Sequence, residues 1–372
     1  MNILYFSNST SSQGGAELNL LKICNHFKEK HQVKIVLPND NGIYKFYIDH
    51  GHQPIIVKSE RPSFNSGWLN LLKFFVRLPF TINKLIKVIN DNKIDIVHTN
   101  DIIDFPAMIA TKFTKAKLVS HLRFIIKDEN FQKKIFKKIY ISCSDQIVCV
   151  SNAVKNNWFP EIDKAKVVYN GGPSLDLFNA ESIKKESKEF LHIITVGKLV
   201  NISGHENIIG ALSILNEDVR KYIKLSIVGG SVEGHEEYEE MLRRLVKDKG
   251  LTESVCFTGY TDKVYKNLSN SDIFCFTPTW EHSFPTVVLE AMAMNLPILA
   301  YDKGGISEQI DSGINGFLVN SVEELGERIT QLFYDRELLR KFAKNSSIVL
   351  KRKFSLEKHF NNLEEIYSNL MK

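Results

Sequence analysis

Two doubly wound α/β domains in tandem are what this sequence predicts, on three observations. Short β-branched runs alternate with helix-like segments along the chain, the pattern of a parallel sheet covered by helices on both faces. The alternation is interrupted once, over residues 172–190, where Pro173, Ser174 and a Lys/Glu-rich run read as a linker, and it restarts at Leu191. A length of 372 residues also exceeds what one core ordinarily holds, given roughly 100–200 residues per domain.

In the first half the strands fall at Ile3–Ser7, Val33–Leu37, Ile94–Thr99, Lys117–His121, Gln146–Val150 and Val167–Tyr169. These runs are rich in Val and Ile and too short for helices. Helical rhythm occupies roughly 15–28, 69–90, 104–114, 130–142 and 152–158. After the linker, strands are expected at Leu191–Val196, Leu225–Val228, Val255–Phe257, Ile273–Phe276, Pro297–Ala300 and Phe317–Val319. Helices are expected near 204–215, 236–249, 285–294, 306–311, 322–333 and 337–349. The last stretch, Ser355 to Leu370, repeats apolar residues at helical spacing (Leu356, Phe360, Leu363, Ile366, Leu370) and is expected to pack back on the first domain. The domains are therefore 1–180, with 355–372 returning to it, and 181–354.

Composition narrows the partners. Residues 1–180 carry 24 Lys and Arg against 15 Asp and Glu, whereas residues 181–372 carry 24 against 28. The basic excess thus belongs to the first half, where Lys and Arg alternate with large apolar residues in Leu71–Arg77 and Lys133–Ile139. Such stretches suit an anionic membrane surface, a solvated helix face being the ordinary alternative. No nucleic-acid-binding motif is present, so that partner is not expected. The apolar region from Trp68 to Ile89 is broken by Lys73, Arg77, Pro79, Lys84 and Lys87, which argues against a membrane span. Met1 to Phe6 reads as a strand rather than a signal peptide. Five scattered cysteines without a C-x-x-C pair point to reduced thiols, neither a zinc site nor a disulfide framework. A cytoplasmic protein, peripheral on the cytoplasmic face of the membrane, is the expected setting.

The chemistry gathers where strands end. Thr277 to Ala293 reads as strand end, polar loop and helix start, with Pro285 suited to a first helical turn. Such a start presents backbone N–H groups and the positive helix dipole to a phosphate. Glu290 follows between apolar neighbours, where a carboxylate needs a hydrogen-bond partner. A pair of ligand hydroxyls would serve, and so would a neighbouring loop or Lys. Gly14-Gly15, Gly197-Lys198, Ser203-Gly204-His205, Val228-Gly229-Gly230, Gly259-Tyr260 and Gly304-Gly305 also fall after strands. Glycine turns admit a phosphate close to the backbone, although each alone is an ordinary turn. Lys198 could neutralise a diphosphate, and His121, at a strand end, could position a hydroxyl or take a proton. No G-x-G-x-x-G is present, which disfavours a nicotinamide enzyme.

Together these residues resemble the retaining glycosyltransferases of family 4, which have the two-Rossmann GT-B fold. The likeness is carried by Gly14-Gly15-Ala16-Glu17, Ile94 to His98, Val150 to Val154, Tyr169-Asn170-Gly171, Gly197-Lys198-Leu199, Phe284 to Ala293, Gly304-Gly305 and Asn315 to Val319. It implies two Rossmann-like domains facing across a cleft, the first binding acceptor and the second a nucleotide-sugar, UDP-sugar being favoured. It implies that Gly14 and Gly15 meet the donor diphosphate and that Glu290 takes the ribose hydroxyls. Glu281, Ser283, Phe284, Pro285 and Thr286 would line the phosphates with Ser203, Gly229 and Tyr260, and His121 would stand near the transferred sugar. Neither metal nor cofactor is implied, since Lys and helix dipoles do that work. The acceptor would be a glycan or lipid-linked molecule of cell-surface polysaccharide or glycoconjugate synthesis.

Three positions depart from the family pattern. His282 stands where the first of two paired glutamates is usual, with Glu281 one residue early; Lys198 replaces Arg; Ser203 replaces Lys. The catalytic set implied is His121, Lys198, His282 and Glu290. The alternative is a catalytically silent GT-B subunit that binds glycan or partners an active transferase. An epimerase or phosphorylase on the same fold is a third reading, and no signature of a Lys-bound cofactor supports the latter.

Overall fold

The computed structural model describes residues 1–9, 14–40, 42–59, 68–173 and 189–372, the side chains of 68–73 excepted. Two compact units result, Met1–Asn170 with His359–Lys372, and Gly171–Lys358. Most of the expected linker, residues 174–188, lies outside the described residues.

The first unit holds strands β1 (Asn2–Phe6), β2 (Gln32–Leu37), β3 (Ile55–Ile56), β4 (Ile96–Thr99), β5 (Lys117–Leu122), β6 (Gln146–Cys149) and β7 (Ala165–Val167). Their order is β3-β2-β1-β4-β5-β6-β7, and every pairing is parallel. The helices are α1 (Gly15–Phe27), α2 (Gly42–Asp49), α3 (Trp68–Asp91), α4 (Phe105–Thr111), α5 (Phe131–Cys143) and α6 (Asn152–Trp158). Central strands such as β4 and β6 are buried at every residue, as a sheet covered on both faces requires. Asn130 and Ser151 cap α5 and α6 by accepting backbone N–H groups.

The second unit repeats the plan with β8 (Leu191–Val196), β9 (Ile223–Val228), β10 (Val255–Gly259), β11 (Ile273–Phe276), β12 (Ile298–Tyr301) and β13 (Gly316–Val319) in the parallel order β10-β9-β8-β11-β12-β13. Around it run α7 (His205–Ser213), α8 (Glu217–Arg220), α9 (Glu236–Asp248), α10 (Val264–Ser269), α11 (Thr286–Ala293), α12 (Val322–Tyr334) and α13 (Arg336–Phe354). The core is Val, Ile and Leu from β8, β9 and β11 against α7, α9 and α12. The final helix, α14 (Leu356–Leu370), contributes residues from His359 onward to the first unit. There Phe360 stacks on His26 at 4.1 Å and Tyr367 is fully buried.

Several elements differ from expectation. Residues 306–311 form no helix: 305–309 are a turn after Gly304 (φ +64°), and the Gln309 side chain donates to the Pro285 carbonyl. β7 lies two residues early, because Lys166 rather than Val168 takes the register position beside Val148. β3, α2, α8 and α10 are too short to leave a periodic signal. The basic stretch at 133–139 is not uniformly a surface, since Lys133 is buried, donates to the Ile126 carbonyl and pairs with Glu129.

In each sheet the order in which successive strands are added reverses once, between β1 and β4 and between β8 and β11. Ligands of doubly wound sheets bind outside the strand carboxyl ends at such a reversal.

Candidate active site

In the second unit the loops after β8 and β11 flank the reversal and are pinned together through backbone. The Thr277 hydroxyl donates to the Gly204 carbonyl at 2.8 Å, Asn207 Nδ2 donates to the Thr277 carbonyl at 3.1 Å, and the Thr279 N–H reaches the Ile202 carbonyl at 3.1 Å. Gly204 has φ +67°, and a Cβ there would collide with the Thr277 carbonyl. Gly229 has φ +153°, and a Cβ would strike the Gly197 carbonyl. These two positions require glycine because loops from neighbouring strands approach there within backbone contact.

α11 starts on Pro285, with no side chain capping its first turn. Its first-turn N–H groups and dipole thus form an anion-binding end that its own cap residue does not cover. Glu290 is half-buried rather than fully buried. Val288, Leu289, Ala291 and Met292 face the core, whereas Thr286, Val287 and Glu290 share the opposite, partly open helical face. Ser283 and Glu281 are half-buried beside it, while the Phe284 ring is buried edge-on against Phe354 at 5.4 Å, leaving its backbone as what it could offer a ligand. Tyr260 is exposed at the end of β10.

Lys198 is exposed on the β8 loop, whose shape is held by its own carbonyl. That carbonyl accepts from the Ser203 hydroxyl at 2.7 Å and from His205 Nε2 at 3.3 Å. Burial pushes the His205 pKa down to about 4 and also lowers that of His282, which sits edge-on to Phe276 at 5.2 Å. Both rings are neutral near pH 7, so neither makes up for the cation lost where Ser203 stands in place of Lys. Lys303, unremarked in the sequence, precedes Gly304, which bridges to His282, and the Gly305 N–H donates to the His282 carbonyl at 2.7 Å. That bridge carries a half-buried lysine to the same sheet edge; a cation immediately before a glycine pair was the available signal.

The first unit builds its edge from buried side chains. Gly14 and Gly15 open α1, while residues 10–13 of that loop lie outside the described residues. Glu17 is buried and accepts from the Ser7 hydroxyl (2.9 Å) and the Tyr47 hydroxyl (2.6 Å). Asp104 is fully buried and accepts three backbone N–H groups, from Asn8, Asn100 and Asp101, at 2.8–2.9 Å. It locks the loops after β1 and β4 side by side. Beside them lies a cavity of about 430 Å³, walled by Ser7, Glu17, Asn100 and Asp101 and by Ile102 and Phe124.

His121 is fully buried within this edge. Arg123, also buried, donates to Asn100 Oδ1 (3.0 Å), Asn170 Oδ1 (2.8 Å) and His121 Nδ1 (3.2 Å). Burial, reinforced by the Arg123 charge, lowers the His121 pKa well below the ordinary range and takes His98 to about 3. The sequence pointed to His121; Asp104, Arg123 and Tyr367 were missed as site residues. Only the spacing Asn100-Asp101-x-x-Asp104 hinted at a closed loop, and nothing in the sequence joins Tyr367 to His98.

Comparison with known proteins agrees with this architecture. The profile for Glycosyltransferase Family 4 matches residues 13–171 and that for Glycosyl transferases group 1 matches residues 178–348. An uncharacterized glycosyltransferase of Methanocaldococcus jannaschii is 28% identical, covering 96% of this chain and 95% of its own. The poly(ribitol-phosphate) alpha-N-acetylglucosaminyltransferase of Staphylococcus aureus is 24% identical over 89% of this chain and 67% of its own. HepE of Anabaena, solved in complex with UDP, superposes with a TM-score of 0.87 at 20% identity, covering 99% of this chain and all of that one.

Proposed function

We propose that this chain, which belongs to the glycosyl transferases of group 1 and family 4, is a retaining enzyme that moves a sugar from a UDP-sugar to a glycan or lipid-linked acceptor. The observation that carries this is the second unit's sheet edge. At the reversal of strand order, glycines hold two loops in backbone contact, α11 offers an uncapped N-terminus, and Lys198 and Glu290 stand at the same edge. The α11 N–H groups and Lys198 would take the diphosphate, with Lys303 as a second cation. Glu290 would accept the ribose hydroxyls. This set neutralises a leaving diphosphate without a metal, so turnover is expected to persist in chelator. HepE, solved also with UDP-glucose, supports the donor class, and the staphylococcal relative supports a polymer acceptor in cell-surface polysaccharide synthesis.

The first unit would hold the acceptor at its cavity, with His121 giving a hydrogen bond to a sugar oxygen. A transfer assay on Lys198→Ala and Glu290→Ala tests the reading. A fall of roughly 10- to 100-fold in kcat/KM for each is expected, the scale of one charge-assisted contact, and undiminished turnover in both would remove them from the mechanism. One observation favours a silent subunit instead: neutral His205 and His282 leave this edge with fewer cations than the family pattern has. Calorimetry with a panel of nucleotide-sugars decides, since a silent subunit binds none.

Peripheral contact with an anionic membrane is part of the proposal. Phe74 of α3 packs on Phe105 of α4, and Phe105 on Phe136 of α5, so these helices share one side of the first sheet. On them Phe75, Val76, Phe80, Phe131 and Ile135 are exposed among Arg77, Lys84, Lys134 and Lys138. Exposed aromatics interleaved with cations suit an anionic lipid interface.

A further inference from the structure

The hydrogen bonds around His121 can be assigned from one fixed point. A guanidinium only donates. Arg123 Nη2 lies 3.2 Å from His121 Nδ1, so that nitrogen carries the lone pair and the neutral ring keeps its proton on Nε2. His98 Nε2 approaches the same Nδ1 at 3.2 Å and must therefore be the protonated nitrogen of its own ring. His98 Nδ1 is then an acceptor, and the Tyr367 hydroxyl donates to it at 2.6 Å. Each group fixes the proton of the next, from the C-terminal helix to the end of β5.

The assignment leaves one loose end. His121 Nε2, a buried N–H, has no hydrogen-bond partner among the described residues. Buried donors are almost always paired, and an orphan at a sheet's ligand-binding edge is a place for an external acceptor. The ring's only lone pair is meanwhile covered by two donors, and burial keeps the ring from charging. No nitrogen is left to receive a proton from substrate.

We infer that Tyr367, His98 and Arg123 are positioning residues that hold His121 as a neutral Nε2–H donor to a ligand oxygen, and that His121 is not the base of the reaction. This rests on the reading above that the first unit binds sugar. The C-terminal helix is thereby more than a brace, because its hydroxyl sets the protonation of a ring on another strand.

The test compares two hydroxyl deletions in the full chain. Tyr367→Phe removes the donor to His98; Tyr5→Phe removes a hydroxyl 3.3 Å from Tyr367 that touches neither imidazole. Long-range proton–nitrogen NMR of histidine-labelled protein at pH 7, with resonances assigned by His98→Gln and His121→Gln, reads the tautomers without turnover. The wild type is expected to show Nε2–H on both rings, Tyr367→Phe a mixed His98, and Tyr5→Phe the wild-type pattern. In the transfer assay Tyr367→Phe should lose roughly three- to tenfold in kcat, the scale of one hydrogen bond, with Tyr5→Phe unchanged. An Nδ1–H or charged His121 in the wild type would overturn the assignment, and equal kcat losses in the two variants would overturn the positioning role. If instead the tautomers hold while His121→Gln turns over normally, the sugar-binding reading of the first unit fails rather than the relay.

Discussion

The two units build the same sheet edge from different materials. Both are parallel doubly wound sheets with a single reversal of strand order. In the first unit that edge is made of buried side chains: Glu17 and Asp104, which tie down hydroxyls and loop N–H groups, and His98, His121 and Arg123, which bond to one another. In the second it is made of backbone, with Gly204 and Gly229 at close approaches and α11 uncapped, while Lys198 and Tyr260 remain exposed. A buried side-chain network fixes proton positions and depends on every member. A backbone cradle recognises phosphate by dipoles that no side-chain substitution removes, and it fails only where a Cβ cannot fit.

The sharpest way to break the comparison is Gly204→Ala. At φ +67°, with the Thr277 carbonyl in the path of the new Cβ, the β8 and β11 loops must separate. A loss on the order of 4 kcal/mol is expected from backbone strain and overpacking together, with donor binding abolished by calorimetry. An unfolding midpoint within error of wild type would mean the loops are not held as described. Next in size is Asp104→Ala, which orphans three N–H groups at the first unit's edge, two of them in buried bonds. It should cost about 3 kcal/mol, read as a lower urea midpoint at constant m-value.

This contrast also explains what the sequence made legible. Glycine and proline punctuation announces a backbone cradle directly, so Gly204, Gly229 and the Pro285 helix start were readable from their places after strands. Glu290 was readable as a site residue, but its exposure was not, since that depends on which helical face the tertiary packing leaves open. The first unit's network resisted reading because its members come from distant positions: Tyr367 meets His98 across 269 residues. The turn at 305–309 was misread as helix because the apolar spacing is local, whereas the Gln309 bond to Pro285 that holds it is not.

Acid separates the units more gently. His98, His121 and His359 of the first unit are buried with pKa values pushed down by burial, to about 3 for His98 and His359. In the second unit His205 is the buried counterpart, at about 4. A histidine depressed in the folded state is neutral in both states above about pH 6.5, so its effect is absent there. Below that the unfolded chain binds the extra proton, and stability falls until the folded pKa is reached. The slope is about 1.4 kcal/mol per pH unit for each such ring. Burial raises the Asp104 carboxyl, which opposes one of the three in the first unit. His31 and His52 are lowered as well in the first unit and His282 in the second, so the first unit keeps the larger number of depressed rings and should loosen faster between pH 6 and 4. Hydrogen exchange on the intact chain would read this as earlier loss of protection in β4 and β5 than in β8 and β11.

The smallest effect sought lies away from both edges. If the first unit's α3 meets an anionic bilayer, Phe75 and Phe80, both more than half exposed, would each bury part of a ring at the interface. Replacing one with Ser should weaken sedimentation with phosphatidylserine vesicles roughly fivefold, about 1 kcal/mol for partial burial of an aromatic. Neither substitution touches the buried network or the backbone cradle, so turnover on a water-soluble acceptor should stay at wild-type level. The discriminating measurement is salt dependence. A surface held by Arg77, Lys84 and Lys138 together with aromatics should release in high salt, and the Ser variants should release at lower salt than wild type. Equal vesicle binding by wild type and variants at every salt concentration would leave α3 as an ordinary solvated helix and confine the basic half's charge to general steering.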